Sequence, residues 1–357
     1  MLKYEKQILL LFSSILLFLL IFFASIELSP DSKTYLRVSE TITGYNSLSQ
    51  IMEPLYFISY LIFKMISLTN NFELIFKCFN VLCFSTIIIF TLKILKYYQI
   101  KFNNYFEYLY FLILFFFNYE IIQWTKFALT DLCLLASMMV SIYFFLVRKY
   151  KISILVFLLS LLIKPQSIFI FFSLSFLYFL KRKNSQFFFS IYFCFYLILI
   201  LILFVLKNLN VEFDFYLLNV TEKIFIEKLI EGNVVDDRYF VDYSNFFSVL
   251  KIYFLRLVYF FSIFFDQYSL NHKIYKILYF SLLYFPIIFF IFKSKKKLNK
   301  SFFIFSAGCI VIISIFVILT FIDYDLRYRL YVYPFIIMIS TYCFIKINFL
   351  KKLNLKK

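Results

Sequence analysis

The stretch KFALTDLCLLASMMVSIYFFLVRKYKISILVFLLSLLIKPQS, residues 126–167, decides how this chain is built. Asp131 opens a charge-free run at 132–147, which Arg148, Lys149 and Lys151 close. A second apolar run at 152–163 then leads to Lys164 and Pro165. Neither run alternates polar and apolar residues, and neither keeps a polar stripe at helical spacing, so each reads as a helix that is apolar all round. Such helices satisfy their backbone internally and belong in a bilayer core, with basic turns on the cytoplasmic side.

The same grammar extends outward over all 357 residues. Hydrophobic residues make up 63% of the chain and charged residues 16%, against about 45–50% and 25% in a soluble domain. With 56 Phe and 30 Tyr but 3 Gly and 5 Pro, the chain is neither a turn-rich β protein nor disordered. It reads as an all-α polytopic membrane protein. Charge-free runs at 7–26, 78–92, 132–147, 184–206, 277–292, 301–322 and 330–345, with shorter ones at 108–119, 152–163 and 165–180, give about ten transmembrane helices. Basic clusters at 3–6, 93–101, 148–151, 181–183, 293–300 and 346–357 fit the cytoplasmic side when both termini are cytoplasmic. Residues 1–357 then form a single transmembrane domain, with external loops at 27–68, 208–245 and 323–329.

Several classes drop out. The net charge of +17 belongs to the cytoplasmic helix ends and carries no nucleic-acid signal. All six cysteines fall inside apolar runs and read as small buried hydrophobes. A single histidine, His272, cannot build a histidine metal site. Residues 7–26 lack a following small-residue cleavage motif and are expected to be a retained span. The apolar segment 250–265 is expected as an external interfacial helix, because a further crossing would place the lysine run at 293–300 outside, and Arg256 sits in its middle.

Four polar stretches remain outside. Asp31, in SPDSKTYLRVSE, either caps a helix starting at Ser32 or acts as a carboxylate base or divalent-ion ligand at the outer surface. IIQWTKFALTD brings Trp124, Lys126, Thr130 and Asp131 to the interface, with Asp131 at a helix start that its charge favours. The hairpin at 152–180 has apolar arms of 12 and 16 residues, short against the roughly 20 of a full crossing. Lys164 at its tip either snorkels to the headgroups or lines a vestibule. IDYDLRYRLYVYP sets Arg327 and Arg329 outside, against the usual bias. Ion pairs with Asp323 and Asp325, or a bound phosphate, would each account for them. Only seven of the 37 basic residues are arginine, and five of those (Arg37, Arg238, Arg256, Arg327, Arg329) fall outside.

In this order the four stretches resemble the GT-C superfamily of membrane glycosyltransferases, the group containing protein O-mannosyltransferase and aminoarabinose transferase relatives. Asp31 matches the key acid after the first span, and residues 126–167 look like the family's aspartate, basic turn and Lys-Pro hairpin tip. LRLVYFFSIFFDQYSLNH and LRYRLYVYP are similar to elements of its later half. The resemblance implies sugar transfer from a polyprenyl-phosphate-linked donor to a glycan, lipid or protein acceptor, on the outer face of a bacterial inner membrane. It implies Asp31 as the catalytic group, with Tyr35, Asp131, Lys164, Arg256, Arg327 and Arg329 at the substrate, and leaves a divalent cation open. The chain departs from the family in having no second acid beside Asp31 and no glycines at the hairpin tip. A polysaccharide polymerase acting on a polyprenyl-diphosphate oligosaccharide, or a flippase, shares the polytopic body. The crowding of charge at the outer rim favours surface chemistry over transport.

Overall fold

The computed structural model describes residues 5–41, 56–181, 246–263, 269–293, 299–320 and 326–347. The expected span at 184–206, the loop at 208–245, Arg238, Asp323 and Asp325 lie outside the described residues, as does the side chain of Arg327.

The described chain is helical, with one isolated β-bridge between Glu27 and Phe127. Its helices are α1 (Glu5–Phe23), α2 (Pro30–Thr41), α3 (Phe57–Ser67), α4 (Phe72–Tyr97), α5 (Tyr105–Phe116), α6 (Tyr119–Thr125), α7 (Asp131–Leu146), α8 (Tyr150–Leu161) and α9 (Ile168–Lys181). After the gap come α10 (Phe246–Phe261), α11 (Leu270–Lys293), α12 (Lys300–Thr320) and α13 (Tyr333–Ile347). Short 3-10 turns at Pro165–Ser167 and Leu326–Tyr331 carry the hairpin tip and the last loop.

Among the described residues two helices, α4 and α11, are long and apolar enough to cross a membrane, and α5 with α6 makes a third crossing if the bent pair is one span. The remaining apolar helices are shorter. Where the sequence reads one run from 108 to 119, the chain bends by 59° between α5 and α6. Asn118 fixes the break. Its Oδ1 accepts from the Ile121 N–H at 3.1 Å as the N-cap of α6, and its Nδ2 donates to the Tyr279 hydroxyl at 2.8 Å. The chain thus starts a new helix one residue before Glu120.

Helix α7 packs between α4 and α8, α9 lies on α12, and α13 is held against α11, α12 and α5. Tyr333 through Cys343 of α13 are all buried, which makes it a central element. By contrast α1 and α11 turn Leu10, Phe22, Leu278 and Phe292 outward, as lipid-facing helices do. Close approaches use small residues. Ser141 and Ser153 exchange hydroxyl-to-carbonyl bonds of 2.9 Å across the α7–α8 hairpin, and Gly308 leaves room for Phe176, whose ring a Cβ would meet at 2.0 Å.

With so few glycines, ordinary residues end two helices in the left-handed conformation, Gln99 at φ 60° and Arg148 at φ 64°. In each case the next residue's N–H reaches back to the carbonyl five before it, Ile100 to Leu95 at 3.0 Å and Lys149 to Phe144 at 2.8 Å. This is the Schellman geometry, here without its usual glycine.

Candidate functional site

The segment after α1 and the link from α6 to α7 are sewn together through the backbone. The Glu27 N–H donates to the Lys126 carbonyl at 2.9 Å and its carbonyl accepts from the Ala128 N–H at 3.1 Å. Asn80 of α4 donates to the carbonyls of Thr125 and Phe127 at 3.0 and 2.9 Å. The non-helical link from α6 to α7 is therefore pinned from two sides, and Asp131 follows directly from it.

Helix α2 begins at Pro30, and Ser29 is its cap, accepting from the Ser32 N–H at 3.1 Å while Ser32 Oγ accepts from the Ser29 N–H at 3.2 Å. The expectation that Asp31 caps a helix starting at Ser32 is thus corrected. Proline fits the first helical position and serine the position before it. Asp31 lies in the first turn, half-buried, where the helix dipole favours its charge. Ser32 is buried and donates to the Ala128 carbonyl at 2.6 Å, fastening α2 to the link before Asp131. One turn beyond Asp31, Tyr35 is buried among Tyr56, Tyr60 and Phe63.

The hairpin tip enters the protein rather than the headgroups. Lys164 is 1% exposed, and its Nζ donates to Asp131 Oδ2 at 2.6 Å, so the snorkelling alternative is excluded. Asp131, also 1% exposed, accepts from the Tyr331 hydroxyl at 3.2 Å through Oδ1. The Tyr35 ring lies 5.8 Å from Lys164 Nζ, within cation–π range. Ser59 of α3 holds the tip from behind, donating to the Ile163 carbonyl at 2.6 Å and sharing a 2.8 Å bond with Thr130. Tyr35, Asp131, Lys164 and the last loop, far apart in the chain, meet at one buried ion pair.

A second buried cluster lies beside it. Glu120 Oε1 accepts from Lys276 Nζ at 2.8 Å and from Arg329 at 3.5 Å, and Oε2 accepts from the Tyr333 hydroxyl at 2.6 Å. The same Arg329 nitrogen donates to the Ser262 carbonyl at 2.6 Å, just past α10. Arg256 on α10 is 7% exposed, donates to the Ile318 carbonyl at 3.1 Å, and leaves its Nε without a hydrogen-bond partner. The turn Leu326–Tyr331 touches both clusters, through Arg329 on one and Tyr331 on the other.

Sequence reading selected Tyr35, Asp131, Lys164, Arg256 and Arg329, placed Thr130 at the interface without a role, and passed over Glu120, Lys276, Tyr331, Tyr333 and Ser59. Glu120 and Lys276 each border an apolar run and served there as boundary marks. Opposite charges at the ends of two apolar runs were the signal that could have paired them. Both carboxylates are occupied by cationic and phenolic donors, and among the described residues no group of three or more His, Cys, Asp or Glu could hold a metal ion. Compared with family models, with curated proteins and with solved structures, the chain matches none.

Proposed function

We propose that this chain is a membrane glycosyltransferase that moves a sugar from a polyprenyl-phosphate-linked donor to an acceptor hydroxyl at the outer face of a bacterial inner membrane. In this reading it crosses about ten times, with both termini cytoplasmic and α10 on the outer side. The observation that supports it is the meeting of first-loop, hairpin-tip and last-loop residues at two neighbouring buried charge clusters. A transferase of this kind needs a base for the hydroxyl proton and positive charge for the departing phosphate.

The acceptor oxygen forms the new bond to the anomeric carbon as the carbon–oxygen bond to the lipid phosphate breaks. The phosphate leaves with the bonding pair, and the hydroxyl proton passes to Asp31. Arg329 and Arg256, with Arg327 in the same loop as Arg329, supply positive charge at the phosphate. Guanidinium forks match its oxygens, and each well-placed donor is worth about 10²–10³ in rate. Lys164 and Asp131 hold the hairpin tip and Tyr35 in register beneath the reacting groups.

Asp31→Asn separates this role from a structural one. Ser29 remains the cap, so the variant should accumulate and insert normally. In membranes supplied with polyprenyl-phosphate sugar, it should lose transfer by orders of magnitude and leave the donor unconsumed. Retained transfer by Asp31→Asn overturns the assignment of the base.

A further inference from the structure

Helices α1 and α4 leave a groove between them, running from Val81 toward the end of α4, with a cavity of about 810 Å³. Leu9, Leu10 and Leu17 form one wall, and Val81, Leu82 and Ile89 the other. Ser13 and Ser85 share a 3.0 Å hydroxyl–hydroxyl bond halfway along, with Ser14 beside them, a narrow polar band in walls that are otherwise apolar. From Leu82 to Lys93 the α4 wall runs about 17 Å at about 1.5 Å per residue. That is close to one leaflet of a hydrocarbon core about 30 Å thick.

The groove is polar at one end. Lys93 and Lys96 on the last turns of α4, and Lys101 just after it, line that mouth, all three exposed. None of the described lining residues is acidic. Glu107, the nearest acid along the chain, is buried and turned away, accepting from the Asn103 N–H at 2.6 Å and from Asn103 Nδ2. Lys93 Nζ lies over the Phe90 and Tyr143 rings, 4.2 and 5.4 Å from their centroids, on the α7 side of the mouth. The left-handed end of α4 at Gln99 turns the chain back and brings Lys101 to the same mouth as Lys93 and Lys96.

We infer that this groove binds one anionic phospholipid of the surrounding leaflet, with its phosphate among Lys93, Lys96 and Lys101 and an acyl chain laid between α1 and α4. The length of the groove matches a leaflet, and its charge selects the headgroup. Lysines at the membrane surface attract anionic lipids and discriminate little among neutral ones. The site is separate from the proposed transfer chemistry and requires only that the chain sits in a bilayer.

Native mass spectrometry of the full-length protein in neutral detergent tests this, with phosphatidylglycerol and phosphatidylcholine of identical acyl chains added at equal concentration. One phosphatidylglycerol should be retained, with a preference of about tenfold or more. The Lys93→Gln/Lys96→Gln/Lys101→Gln variant should lose that preference, whereas Arg148→Gln/Lys149→Gln/Lys151→Gln, at another basic turn, should keep it. Ser85→Trp, which fills the groove, should reduce retention of both lipids, with helicity and elution checked for each variant. Equal retention of the two lipids by the wild type overturns the inference, as does equal loss in the two triple variants. Displacement of phosphatidylglycerol by substoichiometric polyprenyl phosphate, or a lipid-free dimer in its place, would assign the groove to a different occupant and also overturn it.

Discussion

The two buried carboxylates, Asp131 and Glu120, are built differently. Asp131 meets a lysine at 2.6 Å and a tyrosine at 3.2 Å, whereas Glu120 gathers a lysine at 2.8 Å, an arginine at 3.5 Å and a tyrosine at 2.6 Å. The first is a tight pair that locks the start of α7 to the hairpin tip. The second is a hub where α6, α11, the last loop and α13 meet. Breaking the pair removes the opposite charge held at 2.6 Å, while at the hub Glu120 keeps one cation when the other is removed. On the proposed reading, the Asp131 pair serves architecture and the Glu120 hub can yield a cation to a ligand.

The largest effect is therefore expected at the pair. Lys164→Met or Asp131→Asn should each destabilise the protein by about 3–5 kcal/mol. The double variant Asp131→Leu/Lys164→Met should recover much of that, because no lone charge remains buried. Unfolding midpoints in detergent measure both. A double variant as unstable as the singles would show that the pair's remaining contacts, not its charge, hold the tip.

At the hub the expected effects are smaller in stability and larger in function. Lys276→Met and Arg329→Gln should each cost about 1–2 kcal/mol, since Glu120 keeps its other cation and the Tyr333 hydroxyl. Arg329→Gln should still insert and fold, yet use the donor poorly. Arg329→Lys should restore transfer only in part, because an ammonium lacks the bidentate fork. Full transfer by Arg329→Gln would make the hub as purely architectural as the pair and erase the distinction.

The pair was more legible in the sequence than the hub, for a physical reason. Lys164 interrupts an apolar hairpin, and Asp131 opens an apolar run just before a basic turn, so each stands out as a charge that needs a partner. Glu120 and Lys276 sit at the ends of runs, where charges are ordinary, and their pairing depends on a 59° bend that hydropathy does not encode. That bend follows from an asparagine that caps better than it continues a helix. The basic turns marked where these helices end, but the left-handed caps at Gln99 and Arg148 were hidden, because the usual glycine is missing. The start of α2 was readable: a proline after a serine places the cap on Ser29, and Asp31 drew the assignment only because its carboxylate could also cap. All-helical character and the apolar runs came directly from composition and periodicity, whereas contacts between distant segments came only from the fold.

The smallest and cleanest test compares two tyrosines. Tyr331 donates to Asp131 at 3.2 Å and Tyr333 donates to Glu120 at 2.6 Å. Both side chains are buried, and phenylalanine preserves their rings, so Tyr331→Phe and Tyr333→Phe each remove one hydroxyl. A hydrogen bond to a buried carboxylate is worth about 1.5–3 kcal/mol and a long one less. Tyr333→Phe should therefore fall in that range, and Tyr331→Phe at about 1 kcal/mol or below. Lys164 already approaches Asp131 at 2.6 Å, so losing the longer phenol bond costs the pair little. At the hub the phenol is the shortest contact to Glu120, and its loss leaves Oε2 without the donor that the fold provides. Thermal unfolding of the two variants in the same detergent gives the comparison directly. An equal cost at the two sites would mean that Tyr331 matters to the pair as much as Tyr333 does to the hub, and that the two clusters differ in membership but not in design.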